Sequence, residues 1–440
     1  MSKSHFPQQK EALSVTSVSR GIDRIEVTSD NPHLVATLVV RLRLERLIND
    51  MVDLSDRVGG ALPGRKVLTL VHAMVAGGSH IDHADVLRSG ATQSVLPHRV
   101  MAPSTLGTFL RAFTFGHVRQ LDRVLAEVLR RAWSLGAGPG ADRLVVDLDS
   151  TICPVCGKTK HGAGYGYTKE LGYHPLLATR AGTGELLHVR MRKGSANTQR
   201  GTKRFIEELV ARLRRAGATG ELVMLFDSGF WSNATIVTLG RLGVGYTMGV
   251  RMVKSVVSAV SAIDEGAWTP IDYTCDGIAE VADCVHTGRR LVVRRTRLVG
   301  RQATLWPEWR HFAFLTDQPG TAVEVDAFHR AHATVELALK DLKEGAGMEH
   351  VPSGNFHANA AWLVCPALAH DLIRWSALLG EIAPEDHLVV ARTVRTGISQ
   401  CPAVWPTVRT GTSPSTRPSI RPGVVAASAA GEPQTIAGRR

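Results

Sequence analysis

The stretch that most constrains the fold is residues 144–153, which read LVVDLDSTIC and place two carboxylates on one apolar strand. The opening Leu-Val-Val favours a buried β-strand, and because successive side chains of a strand alternate between faces, Asp147 and Asp149 point the same way. A buried carboxylate is costly unless an arginine, hydrogen bonds from a turn or a bound cation compensates it. Oxygen ligands of this kind suit Mg²⁺ or Mn²⁺. Taken alone, the stretch slightly favours a simpler alternative, an Asp-Ser-Thr turn whose short side chains bond to the local backbone.

The charge of the whole chain indicates the class of partner. The 440 residues carry a formal net charge of +12, which favours a polyanionic partner because neutralising phosphates releases counterions. No apolar run reaches membrane-spanning length and residues 1–10 are too polar for a signal peptide, so we expect a cytoplasmic protein with no membrane partner. The six cysteines are too sparse for a disulfide framework, and we expect reduced thiols.

The first third of the chain divides into a polar arm and a helical region. Residues 1–30 are polar and aperiodic, which predicts a mobile arm. In residues 31–135 apolar side chains recur at spacings of three and four, which predicts several helices. Their basic surface is compatible with a DNA-binding helical region, and a helical bundle that only packs is an equally supported alternative. Glycines in residues 136–140 then mark a domain boundary.

Residues 141–250 and 311–380 are expected to form a mixed α/β core. The strand described above is followed by two β-type runs separated by a Gly-Thr-Gly turn at residues 182–184, which is typical of a hairpin. The apolar run Leu222–Phe226 ends at Asp227, and a helix and another strand follow. Asp227 is therefore predicted to lie at the carboxyl end of a strand, where the active-site residues of α/β sheets are found.

Two segments differ from this core. Residues 251–310 contain β-type runs and many arginines, including Arg294, Arg295 and Arg297, and we interpret the segment as a β-rich insertion whose basic surface contacts DNA. Residues 394–440 are rich in Pro, Ser, Thr, Gly and Arg, a composition that cannot build a core. That composition predicts a disordered tail.

A single helix is expected over residues 326–344. At about 100° per residue, an apolar stripe of this helix faces the core. A neighbouring polar stripe carries His329, His332, Glu336 and Lys343. The helix therefore presents an acid, two histidines and a lysine on one side.

Three acids thus stand on predicted core elements: Asp149 or Asp147 on the first strand, Asp227 at the end of a later strand, and Glu336 on the helix. A mixed sheet can bring such distant acids together, and a ribonuclease H-like fold builds a two-metal site in this way. In a chain with 40 acidic residues the spacing of the three is weak support. The local motifs make the pattern specific.

These motifs resemble those of DDE transposases of insertion-sequence family 1380, within the wider family-4 group. They are DLDST at residues 147–151, a Gly-Tyr pair at 166–167 with GYHPLL at 172–177, DSGFWS at 227–232, and the helix around Glu336. The resemblance extends over roughly residues 30–380. It implies an α/β mixed-sheet, ribonuclease H-like catalytic core with a helical N-terminal domain and a β-rich insertion.

The resemblance also implies a function and a site. The chain would bind the ends of its insertion sequence and perform metal-dependent DNA cleavage and strand transfer, with two Mg²⁺ or Mn²⁺ ions held by Asp149, Asp227 and Glu336. The family motif has an aspartate followed within two residues by Ser or Thr, which Asp149 fits better than Asp147, the alternative first acid. The implied partner is double-stranded DNA, as terminal inverted repeats and as target, bound by a homodimer in the bacterial nucleoid. A ribonuclease H-like nuclease without strand transfer and an inactive, transposase-derived DNA-binding protein are the alternatives.

The last motif implies DNA contacts as well. In the wider group the third acid lies in a helix written Tyr-x2-Arg-x3-Glu-x6-Lys, whose polar residues hold DNA phosphates. Aligning Glu336 with the acid puts Lys343 on the lysine, while His329 and His332 replace the tyrosine and the arginine. Because an imidazole can still donate a hydrogen bond, all three are implied DNA-binding residues.

Overall fold

The computed structural model describes residues 32–89, 93, 96–157, 159–166, 168–273, 277–298, 309–331, 334–380, 390–391 and 393, together with two short strands near the termini. The helices are α1 (Pro32–Arg41), α2 (Leu44–Met51), α3 (Pro63–Val75), α4 (Ala84–Arg88), α5 (Pro103–Arg111), α6 (Phe115–Ala132), α7 (Thr202–Ala216), α8 (Asn233–Leu242), α9 (Lys254–Ser261), α10 (Ala322–Arg330), α11 (Thr334–Lys340) and α12 (Phe356–Leu379). The strands are β1 (Arg24–Val27), β2 (Leu144–Ser150), β3 (Cys153–Pro154), β4 (Gly164–Tyr165), β5 (Leu171–Tyr173), β6 (Leu176–Arg180), β7 (Leu186–Arg190), β8 (Leu222–Phe226), β9 (Gly245–Gly249), β10 (Thr269–Ile271), β11 (Gly277–His286), β12 (Arg289–Leu298), β13 (Arg310–Thr316) and β14 (Ala403–Pro406).

One large mixed sheet organises the described part of the chain. Its nine strands lie in the order β10-β11-β12-β13-β9-β8-β2-β6-β7. Strands β2, β8 and β9 run parallel, and the other neighbours in the sheet are antiparallel. Parallel neighbours require crossover connections, which here contain α7 before β8 and α8 before β9. The carboxyl ends of the three parallel strands therefore lie along one edge of the sheet.

The central strands are apolar because helices cover the sheet. All five residues of β8 are buried. Helix α7 buries Phe205, Ile206, Leu209, Val210 and Leu213, at the spacing of three and four that places side chains on one helical face. A small three-stranded sheet, β3-β5-β4, follows the end of β2 and stands apart from the large sheet in hydrogen bonding.

Helix α12 joins the helical region to the sheet. Most of its 24 residues are buried, and α1, α3, α5 and α6 pack against it, while its other neighbours include β7. The helical region expected at residues 31–135 therefore shares one hydrophobic core with the sheet. Although α12 is largely apolar, no helix in the described ranges is long and apolar enough to cross a bilayer.

Residues 251–310, which we expected to form an insertion separate from the core, supply α9 and three strands of the large sheet. Strand β12 pairs along the whole of β13, and β13 in turn pairs with β9. The turn between β11 and β12 places Thr287 at φ 51° and Gly288 at φ 73°, the two positive values that a type I′ hairpin requires. The segment thus extends the large sheet through the pairing of β12 with β13.

The single helix expected over residues 326–344 is two helices, α10 and α11, followed by a π-helical turn at Asp341–Gly345. Residues 332–333 between them are outside the described part of the chain. The two helices pack in different hydrophobic clusters. Val325 of α10 packs against β11 and β12, whereas Val335 and Leu339 of α11 pack in the large cluster between the helical region and the sheet.

The expected arm at residues 1–30 and the expected tail at residues 394–440 fall outside the described residues, apart from β1 and β14. These two strands pair antiparallel, with Arg24 opposite Pro406 and Val27 opposite Ala403. Eight residues for which we predicted no regular structure therefore form two short β-strands.

Candidate active site

Asp149 and Asp227 lie side by side at the carboxyl edge of the sheet. Their strands, β2 and β8, are parallel neighbours whose register places Leu148 opposite Phe226, and each acid is the next residue along. Asp149 is half-buried and Asp227 is exposed. In both, Oδ1 accepts a 2.6 Å hydrogen bond from the backbone N–H of the following serine. Since neighbouring strands are about 4.8 Å apart, the two carboxylates can share a ligand.

Asp147 lies deeper on the same strand. Its side chain is buried and lines a small pocket with Thr179 of β6 and with Val335 and Ala338 of α11. Helix α11 therefore crosses the face of β2 that Asp147 and, by alternation, Asp149 share. Glu336 is exposed on this helix, next to Val335. The fold thus places Asp149 and Asp227 at the ends of neighbouring strands and lays the helix of Glu336 over β2. Within the described residues, ligand atoms of these three acids do not all lie within 4.8 Å of one another.

Lys343 lies close to the segment that follows Asp149. Burial raises the pKa of the Cys153 thiol to about 12, and the charge of Lys343 opposes that rise, so its ammonium lies near the residues just beyond β2. Lys343 itself is half-buried in the π-helical turn after α11. The thiol of Cys153 is fully buried.

The structure places His329 away from this edge, in the packing between α10 and the sheet. Its ring is buried, stacks on Phe314 with ring centroids 4.1 Å apart, and bonds through Nδ1 to the Thr247 hydroxyl at 2.6 Å. The expectation that His329 and Glu336 share one helix is therefore wrong, since they lie on α10 and α11. His332 falls outside the described residues, so its predicted role stays a prediction.

The three arginines expected to contact DNA lie on β12 and are engaged within the protein to different degrees. Arg294 is buried, donates to the Asp326 carboxylate at 2.8 Å and stacks over Tyr273. Arg295 is also buried, and it pairs with Glu265 and Glu280. All three guanidinium groups also lie over aromatic rings. Arg294 lies over Phe312, Arg295 over Trp268 and Trp309, and Arg297 over Trp309.

Arg297 differs from its two neighbours in exposure. It is half-exposed, and no carboxylate pairs with it within the described residues. Arg294 and Arg295 therefore pack inside the protein and form internal ion pairs. Of the three arginines, Arg297 is the one that can contact a ligand.

A second group of metal-ligand type lies elsewhere, between α6, β7 and α7. One ligand atom each from Asp122, His188 and Glu208 lies within 4.8 Å of the others. The Asp122 carboxylate, however, accepts a 2.6 Å hydrogen bond from Arg212, and Glu208 pairs with Arg119. Burial would raise the pKa of Asp122, but Arg212 and His188 outweigh it and hold that pKa well below its usual range. Guanidinium groups thus already neutralise these acids, and the group ties three elements together.

One loop outside the motifs described above contacts the turn that follows Asp227. The loop comprises residues 193–201, between β7 and α7. Its Gln199 side chain donates from Nε2 to the Trp231 carbonyl at 2.7 Å. A Cβ atom at Gly229 would come within 3.1 Å of Thr198 Oγ1, so the loop is in close contact with the turn after Asp227. Its contacts use mostly backbone carbonyls, which carry no residue-specific signal in a sequence.

Residues 13–396 match the family described as transposase DDE domain group 1. Among solved structures, the chain is similar to a piggyBac transposase in a synaptic complex with hairpin DNA, at 12% sequence identity and a TM-score of 0.47, over 85% of this chain and 81% of that one. No curated protein matches the chain. The family match covers most of the chain, including every acid described above. The chain therefore belongs to the transposase DDE domain group 1 family.

Proposed function

We propose that this chain is a cut-and-paste transposase of insertion-sequence family 1380, which binds the ends of its insertion sequence, cleaves the DNA there and joins the cut ends to a target duplex. The observation that carries the proposal is the adjacency of Asp149 and Asp227 at the ends of two parallel strands, under the helix that bears Glu336. Family membership supports the reaction class.

We also propose that the catalytic core is ribonuclease H-like. Strands β2, β6 and β7 form an antiparallel unit that continues into parallel β8 and β9, with helices between β7, β8 and β9. This mixed sheet supports the fold that the motif resemblance implies. The first metal-binding acid is assigned to Asp149, since it lies at the open edge beside Asp227, whereas Asp147 is buried behind it.

The three acids suit hard divalent cations such as Mg²⁺ or Mn²⁺. Their donors are carboxylate oxygens, which these ions prefer. Within the described residues no arginine, lysine or histidine forms an ion pair with Asp227 or Glu336, in contrast to the neutralised Asp122 and Glu208. Two such ions, when bound, would activate the attacking oxygen and stabilise the leaving oxygen of the phosphodiester.

Four residues have roles in the proposed reaction. Asp149, Asp227 and Glu336 would hold the cations at the carboxyl edge. Lys343, near the segment that follows Asp149, would bind a DNA phosphate beside the scissile bond. Water would attack the phosphorus and release a DNA 3′-hydroxyl. In the joining step that hydroxyl would attack a phosphorus of the target strand, form a new phosphodiester and release the target strand's own 3′-hydroxyl.

The test is a joining assay with the full chain. The substrate is a labelled duplex carrying the DNA that flanks the gene, mixed with Mg²⁺ or Mn²⁺ and a plasmid target. A transposase gives label joined to the plasmid, a nuclease gives cut duplex without joining, and an inactive DNA-binding protein gives only a bound complex. Asp227→Asn should abolish both products.

Glu221→Gln is the matched control for Asp227→Asn. Glu221 immediately precedes β8, so it lies at the opposite edge of the sheet, and it is exposed. Full joining by Glu221→Gln together with none by Asp227→Asn supports the proposal. Equal activity in the two variants contradicts it.

A further inference from the structure

A buried histidine is bonded to the residue next to the first acid. His174 lies between β5 and β6 and is fully enclosed. Its Nδ1 donates to the Ala196 carbonyl at 2.7 Å, and because a carbonyl oxygen only accepts, this nitrogen carries the proton. Its Nε2, 2.9 Å from Ser150 Oγ, is then the acceptor of the serine hydroxyl. Burial lowers the pKa of His174, which keeps the ring neutral and this arrangement intact at neutral pH.

The serine in turn fixes the carboxylate. The backbone N–H of Ser150 donates to Asp149 Oδ1 at 2.6 Å. An anchored Ser150 side chain limits rotation of its own peptide group and therefore of the carboxylate that this N–H orients. The chain of contacts runs from His174 through the Ser150 hydroxyl and backbone to Asp149.

A buried arginine holds the histidine and the loop together. Arg192 donates from Nε to the His174 carbonyl at 2.8 Å. Its Nη1 donates to the carbonyls of Asn197, Thr198 and Arg200 at 2.9, 3.0 and 2.9 Å. These are residues of the 193–201 loop, which contacts the turn after Asp227 through Gln199 and Thr198. One guanidinium thus connects the supports of both acids.

We propose that Ser150, His174 and Arg192 are positioning residues, which hold the Asp149 and Asp227 carboxylates at the mutual spacing needed to bind divalent cations. The inference rests on the proposed function, because it assigns support to the site proposed there. Groups that orient metal ligands through hydrogen bonds change metal affinity or activity by about 10- to 100-fold when removed. The same size of effect is expected here.

The test compares variants that remove single bonds. Ser150→Ala removes the hydroxyl, and Ser150→Thr keeps one as the conservative control. His174→Asn keeps a side-chain N–H near the Ala196 carbonyl and loses the acceptor for Ser150. Mn²⁺ binding to each full-length variant without DNA is measured by calorimetry, thermal melting reports folding, and a DNA-bandshift assay reports duplex binding.

We expect Ser150→Ala and His174→Asn to weaken Mn²⁺ binding by about tenfold or more, with duplex binding unchanged and with Ser150→Thr close to the wild type. Raising Mg²⁺ should restore cleavage by Ser150→Ala. If His174→Asn melts at a lower temperature, Ser150→Ala decides the question, since it removes one atom from a half-buried side chain.

Wild-type Mn²⁺ affinity in Ser150→Ala would overturn the inference. Asp227→Asn separates this failure from failure of the proposed function. If the wild type binds Mn²⁺ no better than Asp227→Asn does, the proposed metal site itself is wrong. If the wild type binds Mn²⁺ better than Asp227→Asn does, and Ser150→Ala matches the wild type, the positioning role alone is wrong.

Discussion

The carboxylate of Asp341 accepts a 2.9 Å hydrogen bond from Arg374 in the buried interior. Asp341 begins the π-helical turn directly after α11, and Arg374 lies on α12, where it also donates to the Thr183 carbonyl at 3.1 Å. This buried pair ties the segment that carries Glu336 and Lys343 to the longest helix of the core.

Breaking the Asp341–Arg374 pair should destabilise the fold. Arg374→Met leaves the Asp341 charge buried without its guanidinium, a change that typically costs about 3–5 kcal/mol. Adding Asp341→Asn removes that charge, so the double variant should recover part of the loss. The free energy of unfolding from chemical denaturation measures both, and a double variant that is less stable than Arg374→Met would contradict the assignment.

Lys343→Ala should weaken binding to the DNA ends, because it removes the ammonium group that is proposed to contact a DNA phosphate. Losing one phosphate contact should reduce the slope of log affinity against log salt by about 1. Arg143→Ala is the control, since Arg143 is exposed and precedes β2 at the opposite edge of the sheet. Bandshift titrations at several salt concentrations provide the comparison, and equal slopes for the two variants would argue against a phosphate contact at Lys343.

Arg294→Met should lower stability and leave DNA affinity unchanged. Its buried partner, Asp326, keeps a second ion pair with Arg330 at 2.8 Å. The free energy of unfolding should therefore fall by about 1–3 kcal/mol, less than if Arg294 were the sole partner of Asp326. Arg297→Ala should instead lower DNA affinity and leave stability unchanged, because Arg297 is partly exposed. Melting curves and bandshift titrations of both variants check this, and loss of DNA affinity in Arg294→Met would restore the original expectation for that residue.

The protein should lose stability as the pH falls below about 6.5. Burial, with the neighbouring His98, lowers the pKa of His72 to about 3. The folded state then binds fewer protons than the unfolded state between the two pKa values, so the stability contributed above the unfolded pKa is lost as the pH falls. His72→Leu should flatten the decline between pH 6 and 5 by up to about 1.4 kcal/mol per pH unit. Denaturation midpoints at pH 5, 6 and 7 test this, and an unchanged slope would show that His72 does not titrate on unfolding.

The parts of the site that could be predicted from the sequence are those with a local signal. An apolar run that ends in an acid identifies the end of a buried strand, and it predicts the strand-end positions of Asp149 and Asp227, while leaving Asp147 as an alternative first acid. Their adjacency follows from the parallel pairing of β2 and β8. The turn chemistry at Thr287 and Gly288 is similarly local and predicts the β11–β12 hairpin.

The remaining features depend on contacts between distant segments. Residues 326–344 have continuous helical periodicity, so the sequence pattern does not separate α10 from α11, which pack in different hydrophobic clusters through Val325 and Val335. An arginine-rich strand has the same composition whether its side chains bind phosphates or internal carboxylates, so Arg294 could not be assigned before Asp326 was placed beside it. The hydrogen bonds of Arg192 go to backbone carbonyls, which no motif records.

The central claim is that Asp149, Asp227 and Glu336 hold one pair of divalent cations. The most direct measurement is anomalous scattering from Mn²⁺ in crystals of the full chain grown with that ion. The account predicts two peaks about 3.5–4 Å apart at the carboxyl edge of β2 and β8, in contact with the carboxylates of all three acids. Mn²⁺ bound instead among Asp122, His188 and Glu208, or at the carboxyl edge without any contact from Glu336, would contradict it.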